Sequence, residues 1–314
     1  MDLTVALIEN PPSKFDGEDN GAEDNGMIVR NSKRAKFMGT YYHQNFSMAD
    51  SVIFYIAKNP KSWRLCQKMV KTCKYFFVKN PILVIPYLSY YGSQWTIEQT
   101  PYDINQTMST LWIAQGLTVS PAHSVFAEAK YQSVLTSIIP KVYRCDVAVL
   151  SLLKQVIFYH ALPLLTSSAK DIIFDEVVVK HEDGSNVEVQ NVVEIASNAT
   201  WFDISHPTIT SKTMEELLKI PHFSTLRHFA LENVPEVFDI EAFYVHMKKN
   251  ETTCFRLFFD ESISAEYVKR LVEITDEIIV TKEFHYKPAF FRFHGLDYQR
   301  RRMLYDICCS LKIL

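Results

Sequence analysis

Five segments in the second half of the chain repeat one spacing of apolar residues, at positions i, i+3 and i+5. The segments are Ala169-x-x-Ile172-x-Phe174, Ala199-x-x-Phe202-x-Ile204, Leu226-x-x-Phe229-x-Leu231, Cys254-x-x-Leu257-x-Phe259 and Pro288-x-x-Phe291-x-Phe293. The middle positions of successive segments lie 30, 27, 28 and 34 residues apart. The last two apolar positions of each segment are two residues apart, as in a strand with one buried face, so the spacing predicts five short strands.

Each of the last four predicted strands follows a stretch in which apolar residues recur with the period of a helix. The four helical stripes are Val189, Val192, Val193 and Ala196; Met214, Leu217 and Leu218; Ile240, Phe243, Tyr244 and Met247; and Val268, Leu271, Val272 and Thr275. Units of one strand and one helix, close to or somewhat longer than roughly 20–29 residues, are typical of leucine-rich repeats. The alternative is an ordinary doubly wound α/β sheet. It is disfavoured because the chain has only eight glycines and no phosphate-binding glycine loop.

The pattern therefore predicts an α/β fold in which a short leucine-rich-repeat-like solenoid with a parallel sheet occupies residues 166–296. A C-terminal helix is expected over 297–314. Residues 1–46 are acidic and rich in proline and glycine, so a disordered tail is expected there. A helical module is expected at 47–80, and 81–165 is expected to be a helical linker that begins the solenoid. The helices predicted in that linker are 104–115, 123–138 and 145–159.

Composition excludes several classes of function. The 314 residues are 47% hydrophobic and 22% charged, as in an ordinary globular protein, and the net charge of −3 gives no bias toward nucleic acid. No segment has the ~18–20 apolar residues needed to span a bilayer, and the first residues lack the basic start of a signal peptide. Six cysteines without a regular framework are typical of a reducing compartment, so a cytoplasmic or nuclear location is expected.

Motifs that carry chemistry are missing from the sequence. The histidines show no metal-ligand spacing, no Gly-x-Ser-x-Gly elbow is present, and the adjacent pair Cys308 and Cys309 lies on an apolar helical pattern. We expect no catalytic residues, no metal and no cofactor. Repeat arrays bind other molecules through an extended surface, so the expectation is a protein-binding protein that is not an enzyme.

Residues 47–80 carry two amphipathic helical patterns that end at Asn59-Pro60 and Asn80-Pro81. The first places Val52, Ile53 and Ile56 on one side, and the second is a continuous stripe at 66, 69, 70, 73 and 77 that includes Met69, Val70 and Phe77. So short a module cannot bury enough surface to be stable alone. It needs either the rest of the chain or a partner.

This module resembles a divergent F-box in its short first helix, its helical hairpin and its ending of cysteines and aromatic residues. With the repeats, the chain is similar to the F-box-like proteins greatly expanded in nematodes. The resemblance implies a substrate receptor for a cullin-RING ubiquitin ligase, with a Skp-type adaptor bound through Val52, Ile53, Ile56, Met69, Val70 and Phe77. Met48-Ala49 stands where an F-box usually opens with Leu-Pro. The alternative is a helical cap on the open end of a solenoid, in a scaffold protein without a ubiquitin-ligase link.

A binding face is predicted from the residues that directly follow the repeat frame. They are Asp175, Ser205, Glu232, Asp260 and His294, together with Ile173, Asp203, Ala230 and Phe258 between the frame positions. Parallel stacking would align the acidic side chains into a row about 5 Å apart per strand, which would favour a basic, partly apolar protein partner. The partner-binding candidates are accordingly Asp175, Asp203, Glu232, Phe258 and Asp260. The alternative is that they are turn residues that satisfy the backbone where strands end.

Overall fold

The computed structural model describes residues 39–42, 44–120 and 134–311, which form ten α-helices and thirteen strands. The helices are α1 Asp50–Lys58, α2 Trp63–Thr72, α3 Lys74–Lys79, α4 Val134–Ile138, α5 Leu162–Thr166, α6 Val189–Ile195, α7 Thr213–Lys219, α8 Ile240–Met247, α9 Ala265–Val280 and α10 Tyr298–Ser310. The strands are β1 Ile82–Tyr91, β2 Gln94–Ile97, β3 Thr100–Pro101, β4 Thr110–Ser120, β5 Val142–Cys145, β6 Val149–Leu153, β7 Val156–Phe158, β8 Asp171–Asp175, β9 Val178–Lys180, β10 Trp201–Ser205, β11 His228–Val234, β12 Cys254–Phe259 and β13 Phe290–Arg292. Most of the predicted N-terminal tail lies outside the described residues.

Eleven of the strands form one large, mostly parallel sheet. Its order is β13-β12-β11-β10-β8-β6-β4-β1-β2-β3, with β5 beside β4, and β7 pairs separately with β9. All neighbours from β1 through β4, β6, β8, β10, β11 and β12 to β13 are parallel, whereas β2 and β3 form an antiparallel hairpin at one edge. The fold is therefore mixed α/β, and the parallel strands β1, β4, β6, β8, β10, β11, β12 and β13 lie in the sheet in the order in which they occur in the chain.

One face of the sheet carries the hydrophobic core. One residue from each of seven neighbouring strands forms a row across this face, and all seven are almost completely buried: Leu88, Leu117, Leu150, Ile172, Phe202, Phe229 and Phe255. The apolar stripes of α6 to α9 contribute Val193, Leu217, Phe243 and Leu271 to the same cluster, whereas Leu218, predicted in the stripe of α7, is exposed. Burying each such side chain stabilises the fold by about 1.5–3 kcal/mol, so the alternation fixes which face of the sheet turns toward the helices.

The predicted frame was wrong by two residues in the last two repeats. Phe229 pairs with Phe255, not with Leu257, and Leu257 pairs with Leu231 and Phe291. Because side chains alternate with a period of two, a shift of two leaves the same face buried. The prediction of core residues therefore survived the error, whereas the alignment of the exposed positions did not.

Two helices predicted in the linker are strands. The segments predicted as helices at 104–115 and 145–159 contain β4 and the strands β6 and β7, after a single short turn at Ile104–Gln106. Short apolar runs rich in valine, isoleucine and leucine fit either period, and the pairing of β4 with both β1 and β6 decides for strands. Most of the helix predicted at 123–138 lies outside the described residues, and α4 occupies its end.

The N-terminal helices pack on the opposite face of the sheet at its β1 edge. Cys66 of α2 is buried in a small cluster with Ile82, Val84, Trp112 and Ala114 of β1 and β4. The predicted continuous stripe is interrupted, because Cys73 is extended and its Sγ accepts a hydrogen bond from the Tyr75 backbone N–H at 3.4 Å. A second small cluster, which includes Ile53 and Ala57, joins α1 to α3.

At the other edge of the sheet, α10 covers β13. Leu304 and Cys308 are fully buried, and Arg300 forms an ion pair of 2.6 Å with Asp276 on α9. Within 39–42, 44–120 and 134–311, no helix combines the length and apolar composition that crossing a bilayer requires.

Four strands that are neighbours in the sheet, β6, β8, β10 and β11, carry a left-handed residue at their C-terminal end, directly after the first three strands and at a register shift inside β11. These residues are Lys154, Glu176, His206 and Asn233, with φ of 50°, 49°, 52° and 62°. The N–H groups of Lys154 and His206 each donate to a carbonyl oxygen of the next strand, at 2.8 Å and 2.9 Å. The turn that ends a strand is thus repeated from unit to unit, although the residue types differ.

Replacing His206 by valine should lower the free energy of unfolding by about 1–2 kcal/mol, because a β-branched side chain is strained at positive φ. His206→Gly should remain close to the wild type, since glycine adopts this conformation freely. Urea unfolding of the two variants and the wild type measures both effects. Equal stability of the valine variant would contradict a left-handed turn at this position.

Candidate protein-binding surface

The alternate strand residues that point away from helices α6 to α9 form a second face, which we call the open face. Its middle row contains Ser89, Thr118, Ser151, Ile173, Asp203, Ala230, Arg256 and Phe290. The adjoining row contains Tyr91, Ser120, Leu153, Asp175, Ser205, Glu232, Phe258 and Arg292. Ile173, Asp203 and Arg256 are half-buried, and Asp175 and Arg292 are exposed, so solvent reaches part of this face. The face also contains buried residues, namely Ser205, Ala230, Phe258 and Phe290.

Three carboxylates gather on strands β8, β10 and β11 of the open face. The pKa of Asp203 is raised by burial and further by the nearby charges of Glu232 and Asp175, whereas Arg256 opposes the shift. Asp175 accepts a hydrogen bond of 2.6 Å from the Ser205 hydroxyl, which in turn accepts one of 2.7 Å from the Glu176 backbone N–H. Mutual repulsion of these carboxylates makes this part of the face a favourable place for a cation.

An aromatic stack lies next to the carboxylates. The rings of Trp201 and His228 are nearly parallel, with an interplanar angle of 12° and centroids 3.8 Å apart. His228 is buried, and its Nε2 has no hydrogen-bond partner in the described part of the chain. Burial, with the charge of Arg256, lowers the pKa of His228 to about 4, so the ring is neutral at pH 7.

Two arginines and a phenylalanine form the far end of the open face, on β12 and β13. The guanidinium carbon of Arg292 lies 4.3 Å from the centroid of the Phe258 ring, and that of Arg256 lies 5.3 Å from it. Phe290 packs edge-on against Phe258 with centroids 6.0 Å apart. The face is therefore acidic toward β8 and cationic and aromatic toward β13.

The structure brings together three of the predicted partner-binding residues and changes the surroundings of the other two. Asp175, Asp203 and Glu232 are neighbours, and Phe258 occupies the place in their row that had been predicted for Asp260. Asp260 follows β12, where hydrogen bonds from Ser262 lower its pKa. Arg292 stands in the row where His294 had been predicted. The row of three acidic residues predicted from the sequence was therefore wrong.

Sequence reasoning missed Trp201, His228, Arg256 and Arg292 as members of this surface. Each lies between core positions of a strand, so the alternation contains the signal once the register is known. The two-residue error in the frame concealed it, because it placed Phe258 rather than Arg256 beside Ala230.

A second apolar surface is formed by α1 and the residues around it. Val52, Phe54 and Tyr55 are exposed on α1, with Met48 and Leu65 exposed nearby. Of the six residues predicted to bind an adaptor, Val52 is exposed, Ile53 is buried, and the others are half-buried: Ile56, Met69, Val70 and Phe77. Helix α1 buries only Ile53 and Ala57, so most of its apolar side chains lie outside the core.

Three of the six thiols are poorly suited to nucleophilic chemistry. Burial raises the pKa of Cys66 to about 11 and those of Cys145 and Cys308 to about 12, which disfavours the reactive thiolate. Within the residues that the structure describes, no three His, Cys, Asp or Glu side chains are grouped so that they could hold a metal ion.

Comparison with known proteins finds no family model, no curated protein and no solved structure that matches this chain.

Proposed function

We propose that this chain is a protein-binding adaptor, whose sheet forms a short leucine-rich-repeat-like solenoid and whose open face recognises a target protein. The observation that carries the proposal is the open face itself, which combines a stacked Trp201, paired arginines and carboxylates across successive parallel strands. Tryptophan, tyrosine and arginine are the residues that contribute most to protein interfaces. The chain order of the parallel strands from β4 to β13 and the repeated left-handed residue support a solenoid.

The proposal assigns a second contact to the N-terminal helices. The F-box-like module would dock a Skp-type adaptor through the exposed apolar side chains of α1, and the chain would then present the target of the open face to a cullin-RING ubiquitin ligase for ubiquitin-dependent degradation. The support is the exposure of Val52, Phe54 and Tyr55 on a single short helix. Exposed apolar groups of this kind are a common mark of protein interaction sites.

The alternative is a binding or scaffold protein with the same open face and no ubiquitin-ligase connection. One contact favours it: Cys66 of α2 is buried against Ile82, Val84 and Trp112 of the sheet. Part of the helical stripe is thus used inside the chain, as expected of a cap at the end of a solenoid.

A binding measurement separates the two functions. The full chain should retain a purified Skp-type adaptor in a pull-down, and the double variant Val52→Glu, Tyr55→Glu should lose it, because burying a new carboxylate in an apolar interface is costly. Val245→Glu is the matched control, since Val245 is 54% exposed on α8, away from the module. It should bind like the wild type.

Thermal unfolding of each variant shows whether the substitutions act on the interface or on the fold. If the wild type fails to retain the adaptor, the ubiquitin-ligase proposal is wrong and the scaffold function stands. If the double variant binds as well as Val245→Glu, adaptor docking does not use α1.

A further inference from the structure

The cationic end of the open face consists of two arginines that share one aromatic ring. Arg256 and Phe258 are two residues apart on β12, and Arg292 is the cross-strand neighbour of Phe258 on β13. Both guanidinium groups lie within 5.3 Å of the ring centroid, so their positive charges are close together. Cation–π contacts contribute about 0.5–2 kcal/mol each and hold the two groups on the ring.

Within the described residues, neither arginine forms a close ion pair with a carboxylate, although Arg256 is near enough to Asp203 to lower the pKa of that carboxyl. Other arginines of the chain do form such ion pairs, namely Arg144, Arg227, Arg270 and Arg300. In addition, the buried Nε of Arg256 and the buried Nε2 of the nearby His228 lack hydrogen-bond partners in the described chain. Guanidinium groups are donors only, so an incoming acceptor would satisfy the N–H groups of Arg256 and relieve the repulsion between the two cations.

The carboxylates on β8, β10 and β11 of the same face would be stabilised by a positively charged group. Asp203 lies beside Asp175 and Glu232, and its pKa is raised first by burial and then by the charges of these two neighbours. A basic side chain placed there would be stabilised by all three. A nucleic acid would meet these carboxylates with its own negative charge, so the face does not fit a polyanion.

We infer that the open face binds an extended protein segment that carries an acidic residue at one end and a basic residue at the other, with the acidic residue between Arg256 and Arg292. This inference rests on the proposed function and names the class of partner. From Asp203, the middle carboxylate on β10, to Arg292 on β13 the segment crosses three strand spacings of about 4.8 Å, roughly 14 Å, which an extended chain covers in about four residues. Beside the carboxylates, Ile173 on β8 and Trp201 on β10 are half-buried, so an apolar or aromatic side chain of the segment fits there.

The test is a selection of random 12-residue peptides displayed on phage against the full chain. The inference expects enriched peptides with an acidic and a basic residue about three to five positions apart. One such peptide, synthesised with a fluorescent label, should bind at least tenfold more weakly when its acidic residue is replaced by lysine. Binding should also weaken as salt rises, because the contacts are partly exposed.

Variants of the chain locate the binding. Arg292→Glu should weaken binding of the selected peptide at least tenfold. The same variant should bind the peptide with lysine in the acidic position more tightly than the original peptide. Arg301→Glu is the matched control, because Arg301 is an exposed arginine on α10, and it should bind like the wild type. Asp203→Lys should also weaken binding of the same peptide, because the new lysine repels the basic residue of the peptide.

Two failures can be told apart. Enriched peptides that lose binding to Ile173→Arg, in the middle of the open face, but show no charge pattern would overturn the inference and leave the proposed function in place. Enrichment that no open-face substitution alters, or the absence of any enrichment, would overturn both. Competition of the selected peptide by a single-stranded oligonucleotide would overturn the assignment to a protein segment.

Discussion

Phe229→Ala is expected to lower the free energy of unfolding by about 3–5 kcal/mol, because it removes a fully enclosed ring from the centre of the core. Phe229 is 1% exposed and meets Phe223 edge-on at a centroid distance of 5.1 Å. The cavity left behind would be lined by rigid aromatic neighbours that cannot collapse into it. Chemical denaturation of the full chain measures the loss.

Asp203→Ala is the control for that experiment, since Asp203 lies on the adjacent strand but on the open face. Removing a carboxylate whose pKa is raised by burial and by its acidic neighbours should cost little or should stabilise. If Asp203→Ala were as destabilising as Phe229→Ala, the two faces of the sheet would have been exchanged.

The wild type is expected to lose about 2 kcal/mol of stability more than His228→Phe when the pH falls from 7 to 4.5. The pKa of His228 is about 4 in the folded chain, against an unfolded value of 6.5. Between these two pKa values the unfolded chain therefore binds more protons than the folded chain. Lowering the pH stabilises the unfolded chain relative to the folded chain, so the free energy of unfolding falls. Phenylalanine keeps an aromatic ring against Trp201 and removes the titration.

Other groups titrate in the same range, so the comparison of the two proteins carries the test. The pKa of His246 is also lowered by burial, which adds to the acid destabilisation, whereas the raised pKa of Asp203 acts in the opposite direction. Both contributions are shared by the wild type and the variant. Parallel stability curves for the two proteins from pH 7 to 4.5 would show that His228 is protonated as easily in the folded state as in the unfolded state.

The candidate surface could be predicted only in part. Asp175, Asp203 and Glu232 follow from the alternation of the first three repeats, which is a local property of each strand. Arg256 and Arg292 were missed because Cys254 and Pro288 can start the same apolar frame two residues away from the paired register. That choice is made by the contacts of β12 with β11 and of β13 with β12.

The sequence by itself determined the α/β class, the core residues of the repeat strands and the positions of the repeat helices. Each of these depends on a residue period, 2 for strands and 3.6 for helices, that is visible along a short stretch of chain. The tertiary structure decided the extension of the sheet through β1, β4 and β6, since their apolar runs suit a helix or a strand until a neighbour pairs with them. It also decided the burial of Cys66 against the sheet and the contacts of Arg256 and Arg292 with the Phe258 ring. Those outcomes depend on register and docking between segments far apart in the chain, which a local pattern does not specify.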